Sequence, residues 1–342
     1  MKRIIIASSD RSGRFDETTP AAEMFAAAPY SLGAIRYNLE KLGWSTCYAP
    51  LRTTISLRRL ARLIDEFKPD IVYTYGSLTA LHPLRCRSWF CRHKKFKVIH
   101  GWDDVYGEIW DDIFGKLPGL YMRLVERAII KQSDGVVTLS RYNQQRGRHW
   151  GIESAFIPNG ADIPQYDLNA CNIRLDGRFN LVYTGAMDRW KLTHLVCAAM
   201  RKLPVDIKLY LTGQGSERLT EYASDNCIFL GYVAKNDQLA VMAQADALVV
   251  TANQDCNAKL QEYLRYKKPI IGYDGRLNLF FENGRNALLT HDYAAAIERL
   301  AADPELCRSL AANAATDIEI HTWTEIAKMF DDYFRMKLDG AV

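Results

Sequence analysis

Lys259 and Glu262 stand three residues apart in TANQDCNAKLQEYLRYKKPII, residues 251–271. With a helix starting at about Ala258, the two side chains share one face near its N-terminus. A carboxylate accepts hydrogen bonds from a ribose diol, and an ammonium beside open backbone amides favours a diphosphate. The stretch begins where the apolar strand pattern ALVV ends and stops at Pro269, where a further strand starts. Loops and helix starts at the carboxyl ends of strands are where open α/β folds bind anionic ligands. The pair points to a nucleotide site; the alternative is a solvated surface pair with no chemistry.

Such a site needs a scaffold. Apolar strand patterns alternate with helix patterns from RIIIASS, STCYAP, DIVYTYG and KVIHG through GVVTLS and AFIPNG, then begin again with NLVYTG, IKLYLTG, CIFLGYV, ALVV, PIIGYDG and ALLT. The alternation predicts an α/β fold with parallel sheets covered on both faces. At 342 residues the chain exceeds what one core supports, which predicts two Rossmann-like domains. The polar stretch IPNGADIPQYDLNACNIRLDGR predicts the boundary, with one domain over residues 1–162 and a second over 163–324. The last helix pattern, TWTEIAKMFDDYFRMKL, is long enough for residues 325–342 to cross back onto the first domain.

Composition narrows the class. Apolar residues make up 48% and charged residues 25%, as in ordinary globular proteins. No apolar run is long enough to span a bilayer, and MKRIIIASSD lacks a signal peptide's apolar core, which predicts a cytoplasmic chain. The eight cysteines form no CxxC pair and are expected as free buried thiols rather than disulfides or zinc ligands. Residues 1–160 hold 24 Lys and Arg against 16 Asp and Glu, while residues 161–342 hold 20 against 24, so the halves suit different partners. The first strand is followed by SSDRSGR, not GxGxxG, which argues against a dehydrogenase.

Six stretches resemble, in order, the donor half of the GT-B glycosyltransferases, and glycosyltransferase family 4 in particular. They are DGVVTLSRYNQ with IPNGAD, LVYTGAMDRWK, LYLTGQGSE, IFLGYVAKNDQLAVMAQADALVV, EYLRYKKPII and FFENGRNALL. The resemblance implies two Rossmann-like domains facing a cleft and a retaining transfer of sugar. The co-substrate would be a nucleotide diphosphate sugar, with no metal or other cofactor, because helix dipoles and basic side chains handle the diphosphate.

The resemblance also assigns residues. Glu262 would hold the ribose, and Lys259 and Lys191 the diphosphate. Gly185 and Gly213 would allow close approach, and Tyr232 and Leu260 complete the donor-binding set. Two positions depart from the family. Gln254 stands where the family has a sugar-contacting Glu; either Asp255 supplies that carboxylate, or Gln254 and Asn257 bind the sugar hydroxyls as neutral partners. Ala186 stands where the family has an Arg; Arg189 is the candidate for the missing charge, a solvated Arg the alternative. His100, at the carboxyl end of KVIHG, matches a family His beside the donor sugar. It would orient the sugar while the leaving phosphate helps deprotonate the acceptor; His100 and Asp255 are thus the catalytic candidates. Gly33 in SLGA matches the glycine-rich start of the family's first helix, where backbone approaches phosphate or acceptor; simple helix packing is the alternative.

WDDVYGEIWDD follows His100. Trp rings stack on sugar faces and carboxylates bind hydroxyls, so Trp102 and Asp103 are candidates for a carbohydrate acceptor, a polar loop being the alternative. Paired carboxylates also suit Mg²⁺, a reading the resemblance argues against. In HPLRCRSWFCRHKKFK, the residues Arg85, Arg87, Arg92, Lys94 and Lys95 surround Trp89. Basic residues around aromatics suit an anionic membrane surface, with a solvated basic face as the alternative; no nucleic-acid motif accompanies them. The expected function is sugar transfer to a carbohydrate or lipid-linked acceptor hydroxyl, in glycan, polysaccharide or glycolipid assembly, on the inner face of a membrane. A sugar-nucleotide epimerase shares the architecture but needs carboxylates that Gln254 does not supply. A non-catalytic nucleotide-sugar-binding scaffold would account for Ala186 and Gln254.

Overall fold

Ile4, Ile5, Ile6 and Ala7 are wholly buried, and they divide between two cores. Ile4 and Ile6 lie in one, Ile5 and Ala7 in the other. Successive side chains of a strand point to opposite faces, so a run with no polar residue is what a strand covered on both faces requires. A computed structural model, describing residues 1–9, 14–27, 31–51, 56–76, 78–91, 95–255 and 258–340, builds two sheets on this rule.

The chain forms two compact units, Met1–Gly160 with His321–Val342, and Ala161–Ile320. In the first, strands β1 (Arg3–Ser8), β2 (Ser45–Pro50), β3 (Ile71–Tyr75), β4 (Lys97–Trp102), β5 (Gly135–Thr138) and β6 (Ala155–Phe156) are parallel, in the order β2-β1-β3-β4-β5-β6. In the second, β7 (Phe179–Thr184), β8 (Ile207–Thr212), β9 (Cys227–Gly231), β10 (Ala247–Val250), β11 (Ile270–Tyr273) and β12 (Leu288–Thr290) run parallel in the order β12-β11-β10-β7-β8-β9. Both are Rossmann-like α/β sheets, as the alternating pattern predicts. In each, strand order reverses beside the unit's first strand: between β1 and β3, and between β7 and β10. At such a switch point neighbouring loops part and leave a crevice at the carboxyl ends of the strands.

The helix Trp323–Asp339 belongs to the first unit. Phe330 and Phe334 set their ring centroids 5.3 and 5.5 Å from that of Tyr73. Tyr333 Oη accepts from the Val136 amide at 3.0 Å and donates to the Val136 carbonyl at 3.1 Å. Thr322 and Glu325 form a reciprocal cap at its start, satisfying amides the helix leaves open.

Two segments to which the sequence reading gave no regular element are helical: the basic stretch begins as a helix, Leu81–Trp89, and WDDVYGEIWDD, for which a polar loop was the alternative, is mostly a helix, Tyr106–Phe114. Three helices follow β12: Tyr293–Ala302, Pro304–Asp317 and Trp323–Asp339; Pro304 starts the second, where its missing amide costs nothing. The seven described cysteines are free thiols, six of them buried. Among the described residues no helix is long and apolar enough to cross a membrane.

Candidate functional site

The loops leaving β7, β8 and β10 meet where the second sheet reverses its order. The Gly185 amide donates to the Thr212 carbonyl at 2.8 Å, and the Met187 amide to the Gln214 carbonyl at 2.9 Å, binding the loops after β7 and β8 together. Gly213, at φ 128°, lies so close to this turn that a Cβ there would stand 2.2 Å from the Gly185 carbonyl oxygen. Only glycine fits. The helix Ala258–Leu264 is anchored beside them: the Thr184 amide donates to Tyr263 Oη at 2.8 Å.

Lys259 projects from that helix into the turn. Its Nζ donates to the Thr184 carbonyl and lies 3.9 Å from the Tyr183 ring centroid. Burial, and then the nearby Lys191, hold its pKa well below that of a free lysine, with Glu262 opposing. An ammonium strained in this way gains most when an anion arrives. Lys191 sits in the turn Arg189–Lys191, with Nζ 3.7 Å from the Trp190 ring centroid. Its carbonyl accepts from Thr251 Oγ1 at 2.6 Å, which ties the loop after β7 to the end of β10. Arg189 is exposed in the same turn. Glu262 follows Lys259 by three residues and accepts from Lys235 Nζ at 2.6 Å. The structure thus gathers Gly185, Gly213, Lys191, Lys259 and Glu262 at one switch point.

The remaining expected residues fall in different places. Gln254 and Asp255 are both buried just beyond β10, and Tyr232 is 84% exposed beyond β9. Leu260 is buried in the core with Val250, Tyr263 and Ile270. Its side chain is therefore corrected from donor contact to packing. Asn257, Arg92 and Lys94 lie outside the described residues. Sequence reasoning missed Lys235, 27 residues before Glu262. It also missed Arg276, whose amide donates to Asn253 Oδ1 at 2.8 Å and steadies the loop after β10. The only signal for either was a basic residue following a glycine-bearing turn, and such residues are common.

The first unit carries its own polar cluster at the end of β4. His100 is buried, with Nδ1 3.1 Å from Thr74 Oγ1 on β3, and burial pushes its pKa down to about 4. It is a neutral imidazole at neutral pH. Asp103 accepts from Tyr106 Oη at 2.7 Å; burial, then the neighbouring Asp104, push its pKa up to about 7. A carboxyl there exchanges its proton near neutrality. Trp102 is corrected: 1% exposed, stacked on Trp150 at 5.5 Å and donating Nε1–H to Glu126 at 3.1 Å, it offers no face to a sugar. Gly33 is buried inside the helix Ser31–Lys41. Arg87 pairs with Asp134 and donates to the Gln132 carbonyl, so it fastens two elements rather than facing a membrane. Arg85, Trp89 and Lys95 are exposed. Among the described residues no three His, Cys, Asp or Glu side chains stand close enough to share a metal ion.

Comparisons with known proteins bear on the fold and the family. The family model described as Glycosyltransferase Family 4 matches residues 6–165, and the one described as Glycosyl transferases group 1 matches residues 172–317. A search of curated protein sequences finds no match. Among solved structures, sucrose-phosphate synthase from Thermosynechococcus elongatus superposes with a TM-score of 0.80 at 20% identity, covering 100% of both chains. HepE of Anabaena in complex with UDP gives 0.69 at 17% identity, over 98% of this chain and 100% of that one. The catalytic domain of starch synthase IV from Arabidopsis thaliana, bound to ADP and acarbose, gives 0.67 at 12% identity, over 99% of each. With both halves matched by glycosyltransferase models and the whole chain by GT-B structures, the protein is a GT-B glycosyltransferase resembling family 4, and its reaction is sugar transfer from a nucleotide sugar.

Proposed function

We propose that the second unit holds a nucleoside diphosphate sugar at the β7/β10 switch point and that the sugar is transferred with retention to an acceptor hydroxyl. One observation carries the reading: Lys259 and Lys191 bring two cations to the packed glycine turns after β7 and β8, with Glu262 one helix turn beyond Lys259. Relatives of the same fold are described in complexes with UDP, with UDP-glucose, and with ADP and acarbose, which supports a nucleotide-sugar donor and a carbohydrate acceptor.

Glu262 accepts from the ribose hydroxyls, taking them in place of Lys235 or beside it. Lys259 and Lys191 face the diphosphate, and Arg189 adds charge from the exposed side of the turn. As the bond from the anomeric carbon to the phosphate oxygen breaks, its electron pair leaves with the nucleoside diphosphate, which gains negative charge. Fixed cations nearby stabilise that charge without reorganising. The acceptor oxygen bonds to the anomeric carbon on the face the phosphate leaves, and its proton passes to a phosphate oxygen. Neutral His100 orients the sugar, and Asp103 is the candidate to receive the acceptor. At the sugar hydroxyls, buried Gln254 and Asp255 remain the two candidates. Exposed Arg85, Trp89 and Lys95 suit peripheral attachment to an anionic membrane bearing a lipid-linked acceptor.

The test is to incubate the protein with UDP-, ADP- and GDP-glucose, follow nucleoside diphosphate release, and read the product's anomeric proton by NMR. An α-linked product from one α-linked donor is expected. A β-linked product would overturn retention, and no release from any nucleotide sugar, including other sugars of the same bases, would overturn the donor assignment.

A further inference from the structure

The helices Tyr106–Phe114 and Lys116–Gln132 form a hairpin whose outer face is left exposed by the described residues of its unit. The turn is made at Gly115, φ 96°, and the helices pack so closely that a Cβ on Gly119 would fall 1.9 Å from Asp111 Oδ1. Arg123 locks them by donating to Asp111 at 2.8 Å. Inward, Met122, Ile129 and Ile130 are buried. Outward, the tip carries Ile113, Phe114, Leu117, Leu120, Tyr121 and Leu124, from 51% exposed at Leu120 to 80% at Leu117. On Lys116–Gln132 these recur at three- and four-residue spacing and form one stripe. Six large apolar side chains exposed on one rigid turn are an interaction surface, because isolated exposed hydrophobics are normal and a contiguous group is not.

Charge identifies the partner. The stripe continues into exposed Arg127 and Lys131, with Lys116 at its other end; Asp112 is the exposed acid beside the tip. Arg87, bonded to Asp134 and to the Gln132 carbonyl, fixes the helix bearing Arg85 and Trp89 at the end of the same stripe. An apolar wedge followed by basic side chains and a Trp matches a bilayer with anionic headgroups, in which the apolar residues enter the acyl boundary and the cations stay with the phosphates. It does not match a second copy, which would bring the same basic set.

We propose that the hairpin tip, residues 113–124, is the element that inserts into an anionic lipid surface. The proposal rests on the peripheral-attachment reading above and replaces its anchor: the hairpin inserts, and Arg85 and Lys95 only attract. The experiment is co-sedimentation with phosphatidylglycerol/phosphatidylcholine vesicles and with phosphatidylcholine alone. It compares the wild type, Leu117→Ser/Leu124→Ser and Arg85→Glu/Lys95→Glu, each checked for an unchanged melting temperature. Expected is binding of the wild type to the anionic vesicles, weakened at least tenfold in the hairpin variant and restored by no addition of salt. Undiminished binding of that variant, with loss only in Arg85→Glu/Lys95→Glu, would overturn the hairpin and leave peripheral attachment standing. A wild type that ignores both vesicle types would overturn both. A dimer in sedimentation equilibrium that the hairpin variant dissociates, with no vesicle binding, would assign the face to a second copy.

Discussion

Lys259 donates to the Thr184 carbonyl over the Tyr183 ring, so its replacement removes a cation from the place where diphosphate charge develops. Lys259→Met should lower kcat/KM by roughly a hundredfold or more, about 3 kcal/mol of transition-state stabilisation, while leaving the melting temperature of the unliganded protein unchanged or higher. A variant with full activity would remove Lys259 from the site. The pKa of Asp103 is shifted in the opposite sense to that of an ion-paired carboxylate. Its folded pKa of about 7 exceeds the usual 3.8, so the folded state binds the proton more tightly and stability falls as pH rises from about 4 to 7. Asp103→Asn should therefore melt higher than the wild type at pH 8, with the difference vanishing by pH 4; a pH-independent difference would contradict the burial account. Residue chemistry was partly legible in the sequence. Lys259 and Glu262 announced themselves because three-residue spacing places them on one helix face. Lys235 did not, because an ion pair across 27 residues leaves no local pattern. Trp102 misled because its type suits a sugar platform while its place on β4 puts it in the core.

The glycine turns determine whether the elements can meet at all. Gly213→Ala would press a methyl group into the Gly185 carbonyl and force an alanine to φ 128°, a clash plus backbone strain of a few kcal/mol. Urea unfolding should show a loss of about 2–4 kcal/mol with donor binding abolished; an unchanged midpoint would mean the two turns are not packed as described. The strands were the most legible elements. ALVV and RIIIAS read as buried parallel strands because both of their faces are covered. The helices Leu81–Trp89 and Tyr106–Phe114 were hidden because arginines and paired aspartates look like loop composition. For the hairpin, an apolar outer face also breaks the one-sided pattern that marks an ordinary surface helix.

On the scale of the molecule, the last helix belongs to the unit from which it is most distant in sequence. Phe334 is wholly buried against Trp44 and Tyr73; Phe334→Ala should cost about 3–5 kcal/mol. Hydrogen exchange should show that loss in residues 1–160, with protection of 161–320 retained; a uniform loss would contradict the division into units. The last helix was legible as a helix from its pattern, whereas the strand order that creates the switch point was not, because pairing between distant strands leaves no mark on either. The central claim is that this switch point holds a nucleoside diphosphate. The measurement that tests it most directly is thermal stabilisation by UDP, GDP, ADP, CMP and their sugars, with Glu262→Ala and Lys191→Ala alongside. A ligand that binds the folded state raises the melting temperature by mass action, by about 2.7 kcal/mol at a hundred times Kd. Stabilisation by one nucleoside diphosphate family, abolished in both variants, is the predicted result; no stabilisation by any of them, or stabilisation that both variants retain, would contradict the account.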